Sequence, residues 1–211
     1  MTGDSWVDEI AQLRSRKAQD DYFRAHPELV APPTVVRLHG AVLSTMLKSV
    51  AEAQRLALAA ANVALATGDE SSVALSERAL GHVQYAKSRY AAAVSHYRRA
   101  VRTFAANGER AELARTLSSA IQSLMYLGQY DTALDWADRA RVIFEESGDE
   151  LRLARLDGNL GNLYNRQDRY ENHKRGCRIS TSVGAKLTGL GGSLFIFDDP
   201  ISMDDIYSET K

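Results

Sequence analysis

The chain has 211 residues, 45% of them hydrophobic and 25% charged, enough for one large or two small domains with a real core. Its 26 basic and 27 acidic residues leave a formal net charge of -1, which gives no electrostatic basis for binding nucleic acid or an anionic membrane. The single cysteine, Cys177, excludes a disulfide framework and a cysteine-rich zinc site.

In chain order, residues 1–6 lack the basic and then apolar blocks of a secretory leader, so a cytoplasmic location is expected. Residues 4–24 read as one amphipathic helix with Trp6, Ile10, Leu13 and Ala18 on or near one face. Such a helix, with the linker up to residue 32, is expected to cap the structure that follows. Pro32 and Pro33 open the next helix, where a missing N–H does no harm. Residues 33–46 and 48–67 are predicted to form a first, degenerate helix pair. The longest apolar stretch, 56–66, is about half of what a bilayer requires and contains Asn62. No membrane span is predicted.

From there the chain repeats itself. Tyr90, Tyr130 and Tyr170 are 40 residues apart, and so are Ala53, Ala93 and Ala133, and Ala60, Ala100 and Ala140. Phe104 and Phe144 keep the step, as do Gly68, Gly108 and Gly148 with the acid that follows each, and Ala74, Ala114 and Ala154. Each unit reads as two helices. Residues 70–86 and 90–106 place apolar groups at three- and four-residue steps around a break at Lys87, Ser88 and Arg89. Residues 110–126 and 130–146 do the same around Gly128 and Gln129. The predicted fold is all-α, a right-handed helix-pair solenoid over residues 33–172 with a short non-helical or β-hairpin tail.

The pattern resembles the tetratricopeptide repeat. The family's first-helix motif appears as Leu80 and Gly81, and again as Leu160, Gly161 and Tyr164. Its helix junction appears as Gly128, Tyr130 and Ala133. The usual period is 34, and the extra residues here sit around 107–112 and 147–152. Over roughly 23–172, the segments 25–29, 114–119, 153–162 and 166–169 resemble the N-terminal repeat region of large bacterial proteins that end in a caspase-like (CHAT) peptidase domain. That resemblance implies a bacterial helical scaffold without a peptidase, a truncated piece of a larger signalling protein.

Composition changes near residue 173. Of 30 alanines only Ala185 lies beyond Ala154, while five of the 14 glycines fall within 176–192. Residues 177–183 alternate or are β-branched, which suits a strand. Residues 194–197 are apolar and end at Asp198 and Asp199, like a Walker B strand. With residues 182–192, Asp204 and Asp205, this part resembles a segment of the phage terminase large subunit over about 174–211. A working nucleotide site also needs a phosphate-binding G-x-x-x-x-G-K-[S/T] loop, and the sequence has none. Asp198 and Asp199 are therefore expected to be Walker B-like without function, and 173–211 to be a terminase-like fragment rather than an independent domain.

Other chemistry is sparse. The five histidines show no HExxH pattern and no pairing at one-turn spacing, so no metal is expected. Ser118 and Ser119 lack a nucleophile elbow, and Cys177 has only His173 as a nearby base. Neither catalysis nor a cofactor is expected. What remains is the groove that first helices of stacked pairs form. Superposition on the tetratricopeptide pattern places Arg78, His82, Tyr85, Arg115, Ser118, Gln122, Met125, Arg155, Asn162, Asn165 and Arg166 there. The leading expectation is a non-catalytic scaffold that binds a protein or peptide in this groove. The alternatives are a terminase-like ATPase fragment, and a scaffold that self-associates through an open apolar face near Leu160, Leu163 and Tyr164.

Overall fold

In the computed structural model, residues 5–167, 169–171 and 177–179 are described, with side chains up to residue 163. The chain divides into two units, Met1–Arg166 and Gln167–Lys211. In the first, the described residues form nine α-helices packed largely in consecutive pairs: an all-α helical repeat array. Three pairs run through α3 (Pro32–Met46) with α4 (Val50–Thr67), α5 (Glu70–Ala86) with α6 (Tyr90–Ala106), and α7 (Arg110–Tyr126) with α8 (Tyr130–Ser147). A further first helix, α9 (Glu150–Gln167), follows. Second helices also pack on the first helix of the next pair, and α3 packs on α5.

The 40-residue step has two physical causes. Glycines end helices. Gly68, Gly108, Gly128 and Gly148 all take φ between 65° and 70°, the left-handed conformation that a Cβ disfavours. After three of them the chain turns back, as when Gln129 N–H donates to the Leu124 carbonyl at 3.0 Å and Asp149 N–H to that of Phe144 at 2.9 Å. Asp69 and Asp149 then start the next helix by accepting amides of Ser72 and Arg152 at 2.8 and 3.2 Å. Ser88, one period before Gly128, takes the same backbone form at φ 57° without being glycine. The second cause is packing. Ala93, Ala100, Ala133 and Ala140 are wholly buried, and Phe104 and Phe144 nearly so. Small residues let neighbouring helices close up, and the rings fill what is left.

Gly81 shows how tight this is. A Cβ there would sit 2.6 Å from Tyr97 Cε1, 2.8 Å from Cδ1 and 3.0 Å from Cζ. One period later the same positions hold Ile121 and Ala137, both fully buried, so the bulk comes from the first helix instead of the second. Gly161, in α9, shares the motif but faces open space. Gly81→Ala is therefore expected to destabilise by about 1–2 kcal/mol, overpacking outweighing the gain in helix propensity. Gly161→Ala is expected to stabilise by roughly 0.5–1 kcal/mol, since only the propensity changes. Urea melts of both variants check the opposite signs.

The N-terminal segment is two helices where one was expected. α1 (Ser5–Gln12) and α2 (Arg16–Ala25) are separated at Leu13, Arg14 and Ser15. The break has a local cause: Ser15 Oγ accepts the Ala18 amide at 3.1 Å and caps α2. Ile10, Ala11 and Phe23 join Val35, Leu38 and Leu56 in one buried cluster, closing the apolar face of the first pair. Gln19, 3% exposed, donates to the Arg55 carbonyl at 3.0 Å and accepts from Asn62 at 3.3 Å.

In the second unit, β1 (Arg169–Glu171) pairs antiparallel with β2 (Cys177–Ile179), Tyr170 opposite Arg178. Tyr170 keeps the 40-residue step of Tyr90 and Tyr130, yet it lies in a strand and not at a helix start. Asp198, Asp199 and the terminase-like stretch from 182 onward lie outside the described residues. No described helix is long and apolar enough to cross a membrane.

Candidate functional site

The first helices α3, α5, α7 and α9 stand in a row, and a polar network runs across them. Arg78 on α5 is its hub. Only 5% exposed, its guanidinium sits 2.7 Å from Glu112 Oε2 on α7. It donates to the Glu112 carbonyl and to Thr116 Oγ1, each at 3.3 Å. Its Nε donates to His39 Nε2 on α3 at 3.3 Å, and its far face lies 5.7 Å from the Phe104 ring centre. Glu112 Oε2 accepts no aligned hydrogen bond, so its 2.7 Å approach to Arg78 is an ionic contact. Arg115, on the next turn of α7, pairs with the other oxygen of Glu112.

Two histidines complete the cluster. His39 and His82 face each other with ring centres 5.8 Å apart. The hydroxyl of buried Tyr97 shares a 3.1 Å hydrogen bond with His82 Nδ1. Burial, reinforced by Arg78 and Arg115, holds the His39 pKa down at about 3. Burial, then His39 and Arg78, brings His82 to about 3 as well. Both rings are therefore neutral near pH 7, which agrees with His39 Nε2 acting as an acceptor. Burial also pushes the Tyr97 hydroxyl well above its ordinary range.

The residues expected to line the groove fall into three groups. Arg78 and Met125 are buried, Met125 at 4% within the core cluster of α7 and α8, so neither offers surface to a ligand. Superposition fixed which helix face they share but not how far that face is covered. Tyr85 is half-buried in a three-tyrosine contact with Tyr90 and Tyr126, the latter two stacked at 4.3 Å and 9°. The others with described side chains reach the surface. His82, Arg115, Ser118 and Gln122 are partly exposed, while Arg155 and Asn162 are exposed. Gln122 donates to Asn159 Oδ1 on α9 at 3.1 Å, tying two first helices together. The side chains of Asn165 and Arg166 lie outside the described residues.

Periodicity did not find His39, Glu112, Thr116, Tyr97 or Asn159. The network is made of unlike residues, so nothing repeats: the equivalents of His39 one and two periods on are Ala79 and Ser119. Glu112 lies in the extra residues that lengthen the repeat, where the family pattern gives no position. Leu160 and Leu163, expected on an open face with Tyr164, have little surface of their own. They are 7% and 0% exposed and belong to the core cluster with Trp136 and Phe144. Among the described residues no group of three His, Cys, Asp or Glu side chains is placed to hold a metal ion. In comparisons with known proteins, no protein-family model and no curated protein matches the chain.

Proposed function

We propose that the chain is a non-catalytic, cytoplasmic helical-repeat scaffold that holds a peptide or protein segment along the row of first helices. The observation that carries this is a ladder of period-related polar groups. His82, Gln122 and Asn162 occupy one height on α5, α7 and α9, and Arg115 and Arg155 occupy another. Packed helices stand about 10 Å apart, and an extended chain advances about 3.3 Å per residue. Such a ladder presents one polar group to roughly every third residue of a chain crossing it. With Glu112 set against Arg78 and Arg115, and with Arg155 free of any acid partner among the described residues, the row carries excess positive charge. An acidic or carboxylate-bearing segment suits it best.

The likeness of residues 23–172 to the repeats of bacterial CHAT-domain proteins supports the same reading, since in those proteins the repeats bind or regulate. The burial of Leu160 and Leu163 favours this reading over self-association through that face. The test uses exposed positions. Peptides selected against the full chain from a displayed library are expected to lose at least about tenfold in affinity, roughly 1.4 kcal/mol, with Arg155→Ala/Asn162→Ala. Circular dichroism verifies that the variant folds. Unchanged affinity removes the first-helix row from consideration.

A further inference from the structure

A second polar surface shares no residue with that row. A cleft of about 460 Å³ is lined by one face of α6 and by the turn between α7 and α8. Its apolar end is offered by exposed Ala91 and by Leu127, the latter 36% exposed, while Val94 is buried at 4%. At the other end stand Arg98, Arg99 and Arg102, and no acid lines the cleft. Arg99 is neutralised by Glu77 at 2.8 Å. Arg98 has only an amide oxygen, that of Gln129 at 3.2 Å, and Arg102 has no acid partner among the described residues. Gln129 is the N-cap of α8, yet its side chain serves Arg98 and not the helix's own amides.

This arrangement is unusual within the repeat. α6 carries arginines and no acid, although neighbouring helices mix both signs. Two exposed guanidiniums without a carboxylate repel each other, and a surface built for solubility alone would intersperse the signs. Spacing then narrows the ligand. Arg98 and Arg102, both exposed, lie one turn apart, about 6 Å along α6. Two residues of an extended peptide cover about 6.6 Å.

We propose that this cleft binds an extended acidic peptide carrying an acid–x–acid pair preceded by an apolar residue. The apolar residue covers Ala91 and Leu127, and the two carboxylates meet the forks of Arg98 and Arg102. The site is separate from the first-helix row and stands or falls apart from it.

The probe is a fluorescein-labelled peptide, Gly-Leu-Ser-Glu-Ser-Glu-Gly, titrated with the full chain by anisotropy, against its counterpart with both Glu replaced by Gln. The acidic peptide is expected to bind at least about tenfold more tightly than the amide one, and to lose the same factor with Arg98→Gln/Arg102→Gln. Both arginines are exposed, so the fold is retained, which circular dichroism verifies. The Arg155→Ala/Asn162→Ala variant is expected to bind the probe within about twofold of the parent, which separates this cleft from the groove. Absent binding of the acidic peptide, equal binding of the amide peptide, or an unaffected double-arginine variant overturns the proposal. Loss with the groove variant alone overturns it too, and assigns the peptide to the first helices.

Discussion

Replacing Glu112 by glutamine is expected to destabilise the protein by about 3–5 kcal/mol. Glutamine keeps the shape and an acceptor but removes the charge. Arg78 would then keep its guanidinium 5% exposed, with two neutral acceptors and a neutral histidine but no counter-charge. Burying an uncompensated cation is what makes the change large. Arg78→Met is expected to do less harm, about 1–2 kcal/mol. It removes the buried charge and keeps an unbranched apolar stem over Phe104, while Glu112, partly exposed, retains Arg115 on its other oxygen. The double variant Arg78→Met/Glu112→Gln should therefore be more stable than Glu112→Gln alone. Denaturant midpoints of the three variants measure this. If Glu112→Gln and Arg78→Met cost the same, the pair is not a buried ion pair in the sense used here.

The same residues show what the sequence could and could not convey. The helices at 70–86, 90–106 and 110–126 end where the 40-residue step places them. Glycine and the acid after it act within a turn or two, so local chemistry suffices. Small residues at the contacts were legible for the same reason: Ala93 and Ala133 do one task in two places. The break at Ser15 was not, because apolar positions from Trp6 to Ala18 keep a helical rhythm across it and a single hydroxyl decides the cap. The site was half legible. Repetition located the first-helix face, and with it Arg115, Gln122, Arg155 and Asn162. It could not tell a side chain that ends in water from one that ends in a neighbour. Arg78 ends against Glu112, a residue outside any repeated pattern. Gly81 and Gly161 make the point again: one motif, two environments, set by whether Tyr97 or open space stands opposite.

The second large effect is acid lability, and it comes from His39 and His82. Both have folded pKa values of about 3, against about 6.5 in an unfolded chain. Above about pH 6.5 both rings are neutral in both states, and they contribute nothing to the pH dependence. Below it the unfolded chain takes up protons that the native state refuses, so stability falls as pH falls. Each ring gives a slope approaching 1.4 kcal/mol per pH unit, about 2 kcal/mol by pH 5 and roughly 4 for the pair if they titrate independently. Carboxylates do not account for loss in that window. Glu77, which burial raises but His96 and Arg99 hold below its ordinary value overall, loses its contribution only at lower pH. Urea unfolding between about pH 7.5 and 5 is therefore expected to show a steep decline in the parent. The variant His39→Gln/His82→Gln, less stable at neutral pH through lost packing and the lost Tyr97 partner, should show a nearly flat profile over the same range. Two curves that converge as the pH drops identify the histidines as the source, whereas two parallel curves place it elsewhere.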